Sequence, residues 1–193
     1  MLDFCMDPAC NIELKARLSD LPAARQTARR VATKYVGIER QTDTYFQCPA
    51  GRMKLREIVD FGPAEENGDG AQLQPRRSIA QLISYDRADE TEAKESHYQI
   101  VEIRDPGRVR ELKLQMGIRA VVVKQREIFL QDNVRIHLDD VSGLGAFLEF
   151  EAVLGRGKNA ATGRAQVTRL QEEFGIEPDA LIANSYVDLL SAK

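Results

Sequence analysis

The sequence predicts an α+β fold: an antiparallel sheet with one apolar and one charged face, and helices laid on the apolar side. The first observation is strict alternation. In Phe147-Leu148-Glu149-Phe150-Glu151 the charged residues sit two apart with a large apolar residue between them. A strand sends alternate side chains to opposite faces, so Glu149 and Glu151 point one way, their Cα atoms roughly 7 Å apart, and Leu148 and Phe150 the other. Two carboxylates that close repel each other unless a cation or basic groups lie between them. The second observation is recurrence. Glu13-Leu14-Lys15, Arg52-Met53-Lys54-Leu55-Arg56, Lys124-Gln125-Arg126 and Arg135-Ile136-His137-Leu138-Asp139 alternate in the same way. A single half-buried strand with its polar face in water also alternates; a whole set of like-spaced charges is harder to place on an open surface. If the sheet curls into a barrel, the charged face becomes a lumen. A lumen of Lys and Arg suits a polyanion, and a few carboxylates among them suit a divalent cation.

Each element has its own signals. Residues 1–10 read as an N-terminal extension, and the first strand covers 11–18, with Ile12, Leu14, Ala16 and Leu18 opposite Glu13, Lys15 and Arg17. A helix follows, capped by Ser19 or Asp20, with Pro22 in its first turn and Gly37 as its stop. Its stripe of Leu21, Ala24, Ala28, Val31, Ala32 and Tyr35 covers the apolar outside of the sheet. A hairpin comes next, with strands near 41–47 and 52–60 joined through Cys48-Pro49-Ala50-Gly51. It sets Asp43 beside Tyr45 on one face, and Arg52, Lys54 and Arg56 on one face. Residues 62–77, aperiodic and rich in Gly, Pro, Glu and Asn, read as a mobile loop.

Strands near 79–87 and 96–104 follow, Arg87 sharing a face with Tyr85. Asp105-Pro106 starts a second helix, with stripe Val109, Leu112 and Met116 and a stop at Gly117. Helix, Gly-Ile, charged strand, charged strand thereby occurs twice, a weak internal duplication. Residues 155–163 form a surface loop whose Gly155-Arg156-Gly157-Lys158 is too short for a P-loop. A helix over 164–174 stops at Gly175, and a short helical tail from Pro178 packs Leu181, Ile182, Tyr186, Leu189 and Leu190 on the barrel.

Composition narrows the function. At 193 residues the expectation is a single domain able to bury a sizeable core. A net charge of −3 does not suggest a nucleic-acid binder, so any polyanion site must come from local clustering. Cys5, Cys10 and Cys48 make neither an even disulfide framework nor a zinc spacing, and read as free thiols in a reducing compartment. No secretory signal or membrane-spanning run is present in the sequence, so a cytoplasmic protein is expected.

The motifs carry a resemblance. Asn11-Ile12-Glu13-Leu14-Lys15, Asp43-Thr44-Tyr45-Phe46, Lys54-Leu55-Arg56, Lys124-Gln125-Arg126, Asp139-Asp140-Val141-Ser142-Gly143-Leu144-Gly145-Ala146-Phe147-Leu148-Glu149-Phe150-Glu151 and Ser185-Tyr186-Val187-Asp188-Leu189-Leu190 together resemble the CYTH superfamily. That group holds class IV adenylate cyclases, thiamine triphosphatases and inorganic triphosphatases. The resemblance implies a closed antiparallel β-barrel of about eight strands, forming a charged tunnel with helices packed outside. It also implies an enzyme that binds Mg²⁺ or Mn²⁺ and a triphosphate-bearing small molecule, with a homodimer as the family expectation. Lys15, Lys54, Arg56, Lys124 and Arg126 are the expected phosphate contacts, followed by Arg87 and Arg135, because Arg offers phosphate a two-pronged fork and Lys a point charge. Glu13, Glu149 and Glu151 are the implied metal ligands, with Asp139 as a fourth. Lys15, Tyr45 and His137 are candidates for assisting proton transfer.

The family's usual Glu-x-Glu-x-Lys signature has Asn11 in its first position here, and an amide brings no charge to a metal. Three readings stay open: a cyclase making cyclic AMP and pyrophosphate from ATP, a triphosphatase acting on inorganic, thiamine or nucleoside triphosphate, and a non-catalytic polyphosphate or nucleotide binder. Fold alone does not choose between them.

Overall fold

The computed structural model describes residues 9–63, 74–87, 90–155 and 159–192, and of Arg87 only the backbone. Among them, eight strands close into an antiparallel barrel: β1 (Ala9–Arg17), β2 (Lys34–Phe46), β3 (Arg52–Gly62), β4 (Arg77–Arg87), β5 (Lys94–Ile103), β6 (Ile118–Gln131), β7 (Val134–Val141) and β8 (Gly145–Leu154). Around the barrel the order is β1-β5-β4-β3-β2-β6-β7-β8, and β8 pairs back onto β1 with Glu13 opposite Glu151 and Lys15 opposite Glu149. Closure leaves no unpaired edge.

Alternation decides what each face does. The outward residues of β1, β7 and β8, Ile12, Leu14, Ile136, Leu138, Leu148 and Phe150, pack with Ala24, Ala28, Val167 and Leu170 in the main core. Those last four come from helices α1 (Leu21–Val31) and α3 (Ala160–Glu173). Leu55 belongs to a second cluster under α2 (Pro106–Gln115), whose Val109 and Leu112 lean on it. At one end of the barrel, Tyr45, Val122, Val141 and Phe147 pack around Tyr186 and Val187 of the short helix α4 (Tyr186–Ser191). The C-terminal tail therefore sends Tyr186 and Val187 into the barrel end instead of only lying on the outside.

Several boundaries differ from the sequence reading: β2 starts at Lys34 rather than near 41, and the expected helical tail from Pro178 is a single turn at Pro178–Ala180 followed separately by α4. Within the expected 1–10 extension β1 already pairs from Ala9 opposite Tyr98, and residues 1–8 lie outside the described ones. Helix α1 stops at Val31 rather than near Gly37, because Thr33 donates its backbone N–H to Leu130 and the chain joins the sheet. Gly37 instead sits at a bulge in β2 with φ 137°. A Cβ there would lie 2.2 Å from the Gly62 backbone, so the close strand approach excludes a side chain. Helix α3 begins a turn early because the Asn159 side chain accepts from the Thr162 N–H and caps it. Gly163 within it lets the helix touch β1: a Cβ would meet Ile12 at 2.8 Å. The expected 62–77 loop narrows to the stretch between β3 and β4, and its residues 64–73 lie outside the described ones, as do 156–158 of the expected glycine loop.

Candidate active site

The inward residues of the barrel line one cavity, which includes Glu13, Lys15, Tyr45, Lys54, Arg56, Lys124, Arg126, Arg135, Glu149 and Glu151. The register explains why. The turn after β2 sets Asp43 opposite Arg56 and Tyr45 opposite Lys54, and the turn after β6 sets Arg126 opposite Asp139. Across β7 and β8, Arg135 faces Glu151 and His137 faces Glu149.

Two buried aspartates organise the cations. Asp43 accepts from Arg56 Nε at 2.6 Å and Nη2 at 2.7 Å, and from Lys54 Nζ at 3.0 Å. Asp139 accepts from Arg126 Nε at 2.6 Å and Nη2 at 2.6 Å, and from Lys124 Nζ at 3.2 Å. The fork of each arginine is thus locked by a bidentate pair. Burial alone would raise both carboxyls, but the charges of Arg56 and Lys54 on Asp43, and of Arg126 and Lys124 on Asp139, hold them well below the usual carboxylate range. The lysines move in the other direction. Burial, and then the neighbouring Arg56, bring Lys54 down to about 7; burial and Arg126 bring Lys124 to about 8.

The acids form a separate group. Glu149 Oε1 accepts from Lys15 at 2.9 Å, and Arg126 bonds Glu149 Oε2. Burial would raise the Glu149 carboxyl, yet Lys15 and Arg126 outweigh it and hold it well below its ordinary value. The repulsion expected between Glu149 and Glu151 is therefore offset by basic groups. Glu151 Oε2 lies 3.5 Å from Arg135 Nη1. His137 is 3% exposed, and its buried Nδ1 has no hydrogen-bond partner. Burial, then the Arg126 charge, lowers its pKa, which keeps the imidazole neutral near neutral pH. The residues present fit a divalent cation: hard carboxylate oxygens converge on a lumen that also holds an orphaned buried nitrogen.

The structure gathers most of the expected residues and reassigns some. Asp139 is fully buried, and its oxygens are taken by Arg126, Lys124 and the Tyr186 hydroxyl, which donates to Oδ2 at 2.8 Å. It holds cations in place and offers no free face to a metal. Glu13 lines the cavity across from Glu151 but stands outside the compact trio of His137, Glu149 and Glu151. Arg135 reaches the lumen at its exposed rim. Arg87 ends β4, and its side chain lies outside the described residues. Tyr45 is held protonated by burial and by Tyr85, so it can donate a hydrogen bond but not take a proton.

Two contributors escaped the sequence reading. Asp43 was placed on the right face without a role. Tyr186 was read as packing, yet its ring lies 4.0 Å from Lys15 Nζ and 5.0 Å from Lys124 Nζ while its hydroxyl fixes Asp139. The capping box of Ser185 and Asp188 starts its helix, and Asp188 also pairs with Arg119 at 2.7 Å and Arg52 at 3.5 Å, pinning α4 across the barrel end.

Comparison with known proteins follows the same outline. A model of the CYTH domain family matches residues 9–186. A Methanocaldococcus jannaschii protein named a "putative adenylate cyclase" is 23% identical over 180 residues, covering 92% of this chain and 97% of its own. Among solved structures, a Pyrococcus horikoshii protein superposes with a TM-score of 0.71 at 24% identity, covering 93% of this chain and 98% of that one. A Hippeastrum protein named a "putative adenylyl cyclase" and described as revealing a dominant triphosphatase activity gives 0.57 at 15% identity, covering 94% of this chain and 95% of that one. At these identities the structures establish the fold. No helix among the described residues is long and apolar enough to cross a membrane.

Proposed function

The chain belongs to the CYTH domain family, and on that premise we propose that it is a divalent-metal-dependent phosphotransfer enzyme acting on an organic triphosphate. Its reaction is of the class IV adenylate cyclase type: the 3′-hydroxyl of ATP attacks the α-phosphorus, the new O–P bond forms, and pyrophosphate leaves. The observation that carries this reading is the double clamp, with Lys54 and Arg56 on Asp43 and Lys124 and Arg126 on Asp139 around one lumen. A triphosphate carries about four negative charges, and these pre-placed cations replace its hydration without reorganising during reaction.

Arg56 and Arg126 keep their forks fixed and bind phosphate oxygens with their free edges, while Lys54 and Lys124 supply point charges between them. Tyr186 keeps Asp139 from swinging into the lumen. Glu149 and Glu151, with Glu13 opposite, are the residues to hold Mg²⁺ or Mn²⁺. When bound, that ion neutralises charge on the phosphate oxygens and acidifies the attacking hydroxyl. Ile83, Tyr85, Tyr98 and Ile100 give the β4–β5 wall an apolar, aromatic lining, which supports an organic group on the phosphate chain. A cytoplasmic setting, where ATP and Mg²⁺ are abundant, belongs to the same proposal.

A second reading is a triphosphatase using the same cradle with water as nucleophile. It is favoured by the Hippeastrum relative, named for one activity and described with the other. Incubating the protein with Mg²⁺ or Mn²⁺ and ATP, and separately with inorganic triphosphate, decides between them. Cyclic AMP and pyrophosphate in equal amounts is the expected result from ATP. Orthophosphate from both substrates identifies a triphosphatase, and tight binding with no product identifies a binding module.

A further inference from the structure

We propose that His137 is itself a metal ligand, completing with Glu149 and Glu151 a mixed nitrogen and oxygen site that selects Mn²⁺ over Mg²⁺. The inference rests on the reading of the lumen as a metal-dependent site and names the ion that reading leaves open. Its first support is the orphaned atom. A buried ring nitrogen without a partner forfeits the hydrogen bond it had in water. His137 Nδ1 is buried among charged residues that could serve a hydroxyl or amide well, yet nothing bonds it.

The second support is where that atom points. Nδ1 lies 3.9 Å from Glu149 Oε2 and 3.8 Å from Glu151 Oε1, and the ligand atoms of the three residues all fall within 4.8 Å of one another. Those separations are too long for hydrogen bonds. They are the right order for a shared ion: donors about 2.1 Å from a six-coordinate metal stand about 3.0 Å apart, so the two nitrogen–oxygen pairs close by less than about 1 Å and the whole trio by no more than about 2 Å. The oxygens on the far side of both carboxylates are engaged, Glu149 Oε1 by Lys15 and Glu151 Oε2 by Arg135; of the oxygens toward His137, Glu151 Oε1 faces the ring nitrogen, and Glu149 Oε2 also accepts from Arg126, so an ion here shares that oxygen with the guanidinium. The barrel fixes the set, because His137 sits directly opposite Glu149 and all three residues come from two adjacent strands.

The third support is donor chemistry. Carboxylate oxygens suit both Mg²⁺ and Mn²⁺, but Mg²⁺ holds its water and demands near-ideal octahedral oxygen surroundings, so of the two it is Mn²⁺, a first-row transition ion, that more readily takes an imidazole nitrogen. A site with one imidazole and two carboxylates, its remaining positions open to phosphate oxygens, fits Mn²⁺ better.

Pulsed electron paramagnetic resonance on the Mn²⁺-loaded protein, with histidine labelled by ¹⁵N, reads the bond directly and needs no variant to fold. A nitrogen coupling from a bound imidazole is expected. The chain has 2 histidines, so the signal has one other possible source, His97, which sits on the outer surface with Cys10 and Glu95. His97→Asn should keep the coupling and His137→Gln should lose it. His137→Gln should also weaken Mn²⁺ about 10- to 100-fold and Mg²⁺ by less than about threefold. Mn²⁺ binding with no nitrogen coupling, or a coupling that vanishes only in His97→Asn, overturns the inference while the metal-dependent reading stands. Failure to bind either ion, with or without triphosphate, overturns that reading as well.

Discussion

The β2–β3 hairpin and the β6–β7 hairpin each carry a Lys-x-Arg pair clamped by an aspartate on the opposite strand, with nearly the same distances. Their surroundings differ. Arg126 reaches past Asp139 to Glu149, and Tyr186 closes the back of Asp139. Around the other clamp, Lys54 Nζ stands 5.4 and 5.6 Å from the rings of Tyr45 and Tyr85. The electrostatics follow: the Lys124 charge is supported by both Asp139 and Glu149, the Lys54 charge by Asp43, and Lys54 is the more depressed of the two. A Lys-x-Arg strand is thus not a functional unit by itself. The aspartate opposite gives it shape, and in the proposed reaction the third partner decides whether it grips phosphate alone or ties phosphate to the metal site.

Breaking the tie at Glu149 should have the largest effect. Glu149→Gln removes a ligand of the proposed metal site and leaves the β2–β3 clamp untouched, so turnover should fall about 10³-fold. Stability should fall too. The native protein holds this carboxyl well below its ordinary pKa, so its charge is favourable in place, and its loss strands Lys15 and Arg126. The cost is about 3 kcal/mol, read by chemical denaturation. A gain in stability instead would mean that Glu149–Glu151 repulsion dominates, and wild-type metal binding and turnover would make the pair structural.

The two aspartates provide the paired test. Asp43→Asn and Asp139→Asn keep shape and remove charge, and each should cost about 3–5 kcal/mol because buried cations lose their counter-ion. Their kinetics should separate. With Asp43→Asn the triphosphate KM rises about tenfold and metal affinity holds. With Asp139→Asn, Arg126 turns fully onto Glu149, so metal affinity and kcat drop together. Equal metal affinities in the two variants would erase the distinction between the clamps.

Much of this site was legible because strand parity is a strict rule. Glu13, Lys15, Lys54, Arg56, Lys124, Arg126, Glu149 and Glu151 all line the cavity they were expected to share. The clamps were also within reach. A turn centred between Pro49 and Ala50 puts Asp43 opposite Arg56, and one centred between Asp132 and Asn133 puts Asp139 opposite Arg126. The resemblance offers Asp139 as a fourth metal ligand, and parity puts it on the right face, but neither gives its partner across the ladder, Arg126. Tyr186 was not accessible in this way. It meets Asp139 from a helix 47 residues further along, and no register relates a helix to a strand. Gly37 misled for a related reason, since a glycine after an apolar stripe marks a helix stop as readily as a bulge, and the Gly62 backbone that demands it is distant in sequence.

The finest contrast between the clamps is in their protons. In the free protein Lys54 titrates at about 7 and Lys124 at about 8, against an ordinary 10.5. A triphosphate entering the lumen favours the charged form of both, so it should bring protons with it. At pH below about 6 both lysines are already charged and no uptake is expected. Uptake should begin near 7, where Lys54 loses its proton, and grow past 8 as Lys124 joins it, so triphosphate affinity weakens as pH rises through that window. Folding stability should move the opposite way. The unfolded chain keeps its lysine protons up to about 10.5, so between 7 and 10.5 it binds more protons than the native state, and the contribution of these two groups to stability rises with pH. Calorimetric binding of triphosphate in buffers of different ionisation enthalpy counts the protons. Lys54→Met should remove the uptake between pH 7 and 8, whereas Lys124→Met should leave that part and flatten the rise above it. An enthalpy independent of buffer at about pH 8 in the wild-type protein would mean that both lysines stay charged without a ligand, and that burial in this lumen does not set their protonation.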